Sequence, residues 1–381
     1  MPDTNSTTLS YPTLTAFDIL DEVVTALKRH LPLTTNGRKW TQDDIYRVLV
    51  DASARASTVE SICGELEMVP DANTVFFWLK PVESQELRQL EETLNTLLVE
   101  RLPPGLNYRP RQVAIDLTLI PYHGDPAQEA EEIRRGAAKC GTTHFHCYAT
   151  AYLIYHNKRV TLALTMVRAD DETLVVLKRL LARLQELNIR CKRLYLDRGF
   201  YSVLVIRYLQ TQPFVSVMPV IRRGEQMKAL LKVKRSYQTH YTMTSPQHGS
   251  VTFPVWVVCR YLKGRRGTHG IERLGYVVIG ELPWDPVQVR DGYRRRFGIE
   301  TSYRLMNQVR ARTSSPQPNL RFLYVAIALL IVNIWTYLKW RYLRIGQRVH
   351  HQLLPLSKLA RFLSKAVEEI YGLQTSVFVR L

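Results

Sequence analysis

Residues 113–120 read Val-Ala-Ile-Asp-Leu-Thr-Leu-Ile, a strand-forming run that is apolar on both faces apart from Asp116 and Thr118. Such a run is typical of a central strand in a sheet that is covered on both sides. A carboxylate inside it costs several kcal/mol unless it is paired or bound to a cation. We therefore interpret residues 113–120 as the central strand of an α/β domain and Asp116 as a functional residue.

The residues that follow predict the rest of this domain. Strands are expected at 144–155 and 158–167, joined by a tight turn at His156-Asn157, and again at 193–197 and 214–218. Helices are expected at 170–187 and 201–209, so the predicted order is β-β-β-α-β-α-β. Three strands at hairpin spacing followed by alternation indicate a mixed sheet with helices on its faces.

The segments on either side of this pattern define the expected domain organisation. Residues 1–105 are predicted to be a helical, DNA-binding domain, because three short helices in 41–80 fit a helix-turn-helix arrangement. Residues 110–219 and 286–343 form the α/β domain, whose last two helices are expected at 286–309 and 320–343. Residues 220–285 predict a β-rich insertion, and 344–381 a helical tail.

The charge of the chain points to a polyanionic partner. Its 381 residues carry a formal net charge of +18, and the basic residues are clustered. Self-repulsion of this size is tolerable when the partner is nucleic acid. With 46% hydrophobic residues the chain is neither disordered nor a small disulfide scaffold. Five scattered cysteines indicate free thiols, and residues 1–20 show no secretory signal, so we expect a cytoplasmic protein.

One segment allows a membrane interpretation. Residues 322–338 contain no charged side chain. The length of this segment is close to the lower limit of about 17 residues for a membrane span. The remainder of the chain resembles a soluble α/β protein, in which an all-round apolar helix also occurs at the centre. We therefore favour a buried core helix and expect no membrane partner.

A second acid follows another apolar strand. Asp197 ends the strand at 193–197 and is followed by Arg198 and Gly199. If this strand pairs in parallel with the strand of Asp116, the two carboxylates come close together at one edge. Their repulsion would raise one pKa unless a cation is present, and magnesium prefers such oxygen ligands.

A third acid is expected from the helix at 286–309. Its polar residues fall on one side of a helical projection, with Glu300 at the centre of the stripe: Tyr293, Arg296, Glu300, Arg304 and Asn307. Its apolar residues fall on the opposite side: Ile299, Leu305, Met306 and Val309. This pattern predicts a helix that packs by its apolar side, and a stripe that is merely solvated is the alternative.

With these three acids the chain resembles the DDE transposases of bacterial and archaeal insertion sequences. The resembling group carries a Tyr-x2-Arg-x3-Glu-x6-Lys signature, which Tyr293, Arg296 and Glu300 match, whereas Asn307 replaces the lysine. Arg304 or Arg310 would then supply the missing phosphate contact. The first acid matches Asp116, and the Asp-Arg-Gly-Phe/Tyr motif matches residues 197–201. The resemblance covers roughly residues 110–340.

The resemblance implies an RNase H-like core that performs cut-and-paste DNA transposition in the prokaryotic cytoplasm, at the nucleoid. It implies two Mg²⁺ ions, replaceable by Mn²⁺, held by Asp116, Asp197 and Glu300, with Asp116 bridging both. DNA contacts are expected from Tyr293, Arg296, Arg304, Asn307 and Arg198. The expected partners are terminal inverted repeats, target DNA and a second copy of the chain.

Two other functions remain open at this stage. The first is a catalytically silent DNA-binding protein derived from a transposase, which the intact set of acids argues against. The second is an RNase H-like nuclease that does not transpose. The same fold and the same acids serve both a nuclease and a transposase, so the residues alone do not separate them.

Overall fold

The computed structural model describes residues 13–34, 39–102, 105–127, 131–155, 158–262, 264, 270–342 and 354–375. The predicted turn at His156-Asn157 lies outside them. Within the described residues, nine strands form one sheet: β1 (Arg111–Pro121), β2 (Ile133–Lys139), β3 (Thr142–Tyr155), β4 (Lys158–Val167), β5 (Cys191–Leu196), β6 (Val215–Pro219), β7 (Tyr237–Ser245), β8 (Gly249–Tyr261) and β9 (Ile271–Ile279).

Helices cover the sheet and build the N-terminal region. In the described chain they are α1 (Ala16–His30), α2 (Gln42–Ala54), α3 (Val59–Glu65), α4 (Ala72–Glu83), α5 (Leu87–Leu98), α6 (Thr173–Glu186), α7 (Val203–Leu209), α8 (Glu225–Leu230), α9 (Pro286–Arg294), α10 (Gly298–Gln308), α11 (Pro318–Tyr342) and α12 (Leu356–Tyr371). Two short 3₁₀ turns lie at Arg198–Phe200 and Arg295–Phe297.

The centre of the sheet confirms the mixed α/β prediction. β1 pairs antiparallel with β3 and parallel with β5, and β5 pairs parallel with β6. The strand order through the core is β4-β3-β1-β5-β6. The prediction missed one strand, β2, which pairs with the start of β3. β2 reads Ile-Arg-Arg-Gly-Ala-Ala-Lys, and its basic and small residues lack the alternation that identifies a strand.

The strands predicted for the insertion extend the core sheet. β9 pairs antiparallel with β6, and β8 and β7 follow outward from it. Residues 220–285 therefore add three strands and α8 to the sheet edge and do not form a sheet of their own. This places β9 close to β5, and so to the residues that follow β5.

The N-terminal helices pack on the sheet. Their starts carry capping side chains, including Thr41, which forms a capping box with Asp44. One apolar core joins α1–α5, α11 and α12 to the sheet face that carries Ala114 and Tyr148. The helical region therefore shares its core with the α/β domain. DNA contact by residues 41–80 stays a prediction.

α11 is a core helix. It is long and apolar enough to cross a membrane by length and composition, but 89% of its most apolar window is buried inside the protein. It packs against β4, α5 and α10. The prediction of a buried helix is confirmed, although it begins at Pro318, two residues before the predicted start.

Two buried asparagines cover the outer edge of β4. Asn333 of α11 accepts a hydrogen bond from the Thr161 amide (3.0 Å) and donates to the Thr161 carbonyl (2.9 Å). Asn95 of α5 makes the same pair of bonds with Leu164, at 2.7 and 2.9 Å. An unpaired strand edge is a template for association with other chains, and these amides satisfy it internally.

The prediction of one continuous helix at 286–309 is wrong, because the structure has two helices there. α9 ends at Arg294, a 3₁₀ turn spans Arg295–Phe297, and α10 begins at Gly298. α9 packs against β6 and β8, whereas α10 packs against β1, β4 and α11. The break lets one polar segment follow two different surfaces, and it contains Arg296, one of the predicted site residues.

Candidate active site

The parallel pairing of β1 and β5 brings the first two predicted acids together. Ile115 lies opposite Leu196, so Asp116, the next residue of β1, and Asp197, the residue that directly follows β5, lie at the same level of the sheet. The guanidinium of Arg296 donates to Asp116 Oδ2 (2.7 Å), and its other nitrogen lies 3.3 Å from Asp197 Oδ1. One arginine therefore joins the two carboxylates.

The third acid lies next to this pair along the chain. Glu300 is in the first turn of α10, four residues after Arg296, but its side chain lies outside the described part of the structure. Among the described residues, no three acidic, histidine or cysteine side chains form a group that could hold a metal. The participation of Glu300 therefore stays a prediction.

The two carboxylates have different surroundings. Asp116 is buried, and burial raises the pKa of its carboxyl to about 7, although Arg296 opposes this rise and nearby Asp197 adds to it. The Leu117 amide donates to its other oxygen (2.9 Å). The Asp197 side chain is 36% exposed. The site thus has a buried end at Asp116 and an end open to solvent at Asp197.

Two tyrosines fix the backbone of the acids. The Tyr293 hydroxyl donates to the Leu196 carbonyl (3.0 Å), immediately before Asp197. The Tyr303 hydroxyl donates to the Asp116 carbonyl (2.9 Å) and shares a hydrogen bond with Thr150 (2.7 Å). Tyr303 was not among the predicted site residues. Its position three residues after Glu300, on the same side of the helix, was the available signal.

The residues predicted to contact DNA fall into two groups. Arg198, Arg304 and Asn307 are exposed, as contact with DNA requires. Tyr293 and Arg296 are 2% and 5% exposed and point to the sheet, so their predicted place on an open polar stripe is wrong. Tyr293 lies on α9, which packs against β6 and β8, and Arg296 lies in the 3₁₀ turn that follows and pairs with both carboxylates, so neither side chain is on an open surface. DNA contact by these five residues stays a prediction.

A basic cleft opens beside Asp197. It has a volume of about 660 Å³ and runs between the end of β5, α9 and the inserted strand β9. Arginines dominate its polar lining: Arg198, Arg222, Arg290, Arg294 and Arg296. Glu272 of β9 pairs with Arg290 (2.8 Å) and orients it. A cleft of this charge suits a phosphate backbone.

The chemistry of the acidic pair fits a hard divalent cation. Asp116 and Asp197 supply carboxylate oxygens from two rigid strands, and magnesium binds such ligands. Their closeness is electrostatically unfavourable, and Arg296 already supplies positive charge between them. Both carboxylates are therefore placed where additional positive charge is stabilising.

Comparisons with known proteins agree with this geometry. Residues 107–334 match the family described as the transposase DDE domain, whereas no curated protein sequence matches. The fold is similar to a piggyBac transposase in a cryo-EM structure of its synaptic complex with hairpin DNA, with a TM-score of 0.57 and 12% identity over 96% of this chain and 82% of that one. At this identity the likeness concerns the fold alone. Because the family match spans more than half of the chain, the protein belongs to the DDE transposases, a family of DNA-cleaving enzymes that use divalent metal ions.

Proposed function

We propose that this transposase cleaves and rejoins DNA at the ends of a bacterial or archaeal insertion sequence and moves the element by cut and paste. The observation that carries the proposal is the meeting of Asp116, which lies within β1, and Asp197, which directly follows the parallel strand β5, beside a basic cleft. The matching positions of Tyr293, Arg296 and Glu300 support the insertion-sequence group, and Asn307 is the departure from it.

The proposed metal ligands are Asp116, Asp197 and Glu300, and the proposed metal is Mg²⁺, two ions in all, with Mn²⁺ as a substitute. When bound, such a pair of ions activates the attacking hydroxyl and stabilises the leaving oxygen of the phosphodiester. The oxygen-only donor set favours these metals over zinc.

The chain's own residues hold the acids in position. Tyr303 and Tyr293 tie the backbone at Asp116 and Leu196 to α10 and α9. Arg296 fixes the direction of both carboxylates and limits their repulsion. Preorganised ligands of this kind pay no reorganisation cost at the moment of reaction.

The proposed partners are double-stranded terminal repeats and target DNA. The formal charge of +18 and the exposed Arg198, Arg304 and Asn307 support a contact with phosphate along this face. We propose that two copies of the chain join two DNA ends in one complex, in the cytoplasm at the nucleoid.

The test uses the full chain and a plasmid that carries its gene with the flanking DNA. Asp116→Asn keeps the shape of the side chain and removes its charge, and we expect Mg²⁺-dependent cleavage to fall at least ~10³-fold. Asp170→Asn, at an exposed position, is the matched control and should cleave normally. DNA binding should persist in both variants.

The products separate the alternatives. Excised element joined to a new site supports transposition. Cleavage without joined product would favour a nuclease of the same fold, and binding without cleavage by the unaltered chain would favour a silent DNA-binding protein. Normal cleavage by Asp116→Asn would show that the acids are assigned incorrectly.

A further inference from the structure

A second basic cavity lies at the far end of β1, separate from the cleft beside Asp197. Its volume is about 160 Å³, enough for one phosphate group or a few water molecules. β1 and β3 form its floor, and the connection from α10 to α11 forms its wall. Its main lining residues are Ile120, His146, Tyr148, Arg310, Arg312 and Arg321.

Three arginines give this cavity its charge. Of the described residues that line it, none is acidic. Burial raises the pKa of Tyr148, and the nearby Glu132 carboxylate adds to this rise. Glu132 is not part of the cavity lining. Burial lowers the pKa of Arg310, and Arg312 and Arg321 lower it further by repulsion. The arrangement gathers like charges that an anion would stabilise.

Neutral groups orient these arginines. The Arg310 Nε donates to the Asn307 side-chain oxygen (3.3 Å), and the Arg321 Nε donates to the Ser315 carbonyl (2.6 Å). Arg321 also bonds to His146, which burial and the neighbouring arginines keep neutral by lowering its pKa to about 3. These contacts hold the guanidinium groups of Arg310 and Arg321 in place. Such forks suit phosphate oxygens.

The cavity lies on the same side of the sheet as the acids. Asp116 and Ile120 are four residues apart on β1, so both side chains point to the face that α10 and α11 cover. At roughly 3.3 Å per residue, the separation along the strand is ~13 Å, about four base-pair rises of B-DNA. The separation between the acids and the cavity therefore corresponds to a few phosphates along one DNA strand.

We propose that this three-arginine cavity binds a phosphate group of the DNA backbone and so sets the register of the duplex relative to Asp116 and Asp197. The proposal rests on the proposed function, because the DNA must lie across the acids. Phosphate contacts fix the register of a protein on DNA without reading its sequence. Arg310, Arg312 and Arg321 are then DNA-positioning residues.

The first experiment measures DNA affinity of the full chain against salt concentration. We expect Arg310→Gln to weaken binding about 10-fold and to reduce the slope of log K against log salt by about 0.9, the value for one lost phosphate contact. Arg312→Gln should act in the same direction. Its side chain is exposed, and its bond to the Ser57 carbonyl comes from the backbone, so this variant retains the fold. Unchanged slopes in both variants would overturn the proposal.

The matched control is Arg183→Gln. Arg183 lies on α6, which packs on the opposite face of the sheet, and it pairs with Glu186. Its replacement removes the same charge, and we expect the salt slope to stay as in the unaltered chain. A loss of slope equal to that of Arg310→Gln would mean that net charge alone sets affinity, which would also overturn the proposal.

Inorganic phosphate distinguishes the two sources of the ligand. It should raise the melting temperature of the unaltered chain more than that of Arg310→Gln. If it does so while the DNA slopes stay unchanged, the cavity takes free phosphate and the DNA assignment fails. DNA cleavage by Asp116→Asn tests the proposed function separately. If Asp116→Asn loses cleavage while Arg310→Gln binds DNA like the unaltered chain, the cavity proposal alone is overturned. DNA binding without any cleavage, with a reduced slope for Arg310→Gln, would overturn the function alone.

Discussion

Two consecutive helical segments of this transposase differ in continuity and in polarity. α11 runs for 25 residues without a break, with apolar side chains on all sides. The segment from α9 to α10 is polar and breaks at Arg295–Phe297. A helix buried all round satisfies its backbone within itself, so regularity is favourable there. At the acids, the 3₁₀ turn carries Arg296, whose guanidinium lies between the two carboxylates.

The continuity of α11 has a structural role, whereas the break between α9 and α10 lies at the candidate site. Short 3₁₀ stretches within helices are frequent where a functional group must be placed. α11 instead provides the apolar surface on which β4, α5 and α10 meet. Changes in the broken segment should therefore affect catalysis together with local electrostatics, and changes in α11 should affect stability.

The largest effect is expected for Arg296→Met. The variant leaves Asp116 buried without its guanidinium partner, so we expect the free energy of unfolding without metal to fall by about 4 kcal/mol. DNA cleavage should fall at least ~100-fold. Urea denaturation and plasmid cleavage measure the two effects. Arg304→Met, on the exposed side of α10, is the control and should change stability by less than about 0.5 kcal/mol. Equal urea midpoints for the two variants would show that the bridge is unimportant.

The counterpart in α11 is Asn333→Leu. This change leaves the Thr161 amide and two carbonyl groups without their hydrogen bonds, and we expect a loss of about 3 kcal/mol. Thr336→Val is the matched control, because the Thr336 hydroxyl bonds only to the Val332 carbonyl in the hydrogen bonds described. It should cost less than about 1 kcal/mol. Thermal or urea unfolding decides, and similar losses in both variants would contradict the role of Asn333 at the β4 edge.

A pair of leucine truncations sharpens the comparison. Leu330 of α11 is 1% exposed, and we expect Leu330→Ala to lower the free energy of unfolding by about 3 kcal/mol. Leu305 of α10 is half-buried, so Leu305→Ala should cost about 1 kcal/mol. Denaturation of both variants under one set of conditions tests the ranking. The reverse order would mean that the core is centred on α10.

The smallest effect concerns His146, which Arg321 of α11 contacts. Burial lowers the pKa of His146 to about 3, whereas an unfolded histidine titrates near ~6.5. The unfolded state therefore binds the proton first, and stability is lost as the pH falls below ~6.5. Between pH ~6.5 and ~5.5 we expect the free energy of unfolding of the parent to fall by about 1 kcal/mol because of His146. His146→Gln should lack this part of the decrease. Urea unfolding at both pH values measures it, and parallel pH profiles for variant and parent would exclude a neutral buried histidine.

Local patterns predicted much of the fold. The apolar run around Asp116 identified the central strand, and the three short helices predicted in 41–80 correspond to α2, α3 and α4. β2 was not predicted because its residues do not alternate between apolar and polar. It forms a strand through its pairing with β3. The 3₁₀ turn was not predicted for a related reason. The helical spacing of polar residues continues through Arg295–Phe297, whereas the break in the helix is set by tertiary contacts.

The residue types of the candidate site follow from the sequence: one acid inside an apolar strand, a second at the end of another strand, a third in a helix, and a basic chain around them. The sequence also determined that residues 322–338 belong in an apolar environment. Only the tertiary structure decided that Arg296 joins Asp116 to Asp197, that Tyr303 and Asn333 hold the backbone, and that three arginines share one cavity. The reason is physical: hydrophobic periodicity is a property of neighbours along the chain, whereas charge pairing and hydrogen bonding depend on groups that folding brings together.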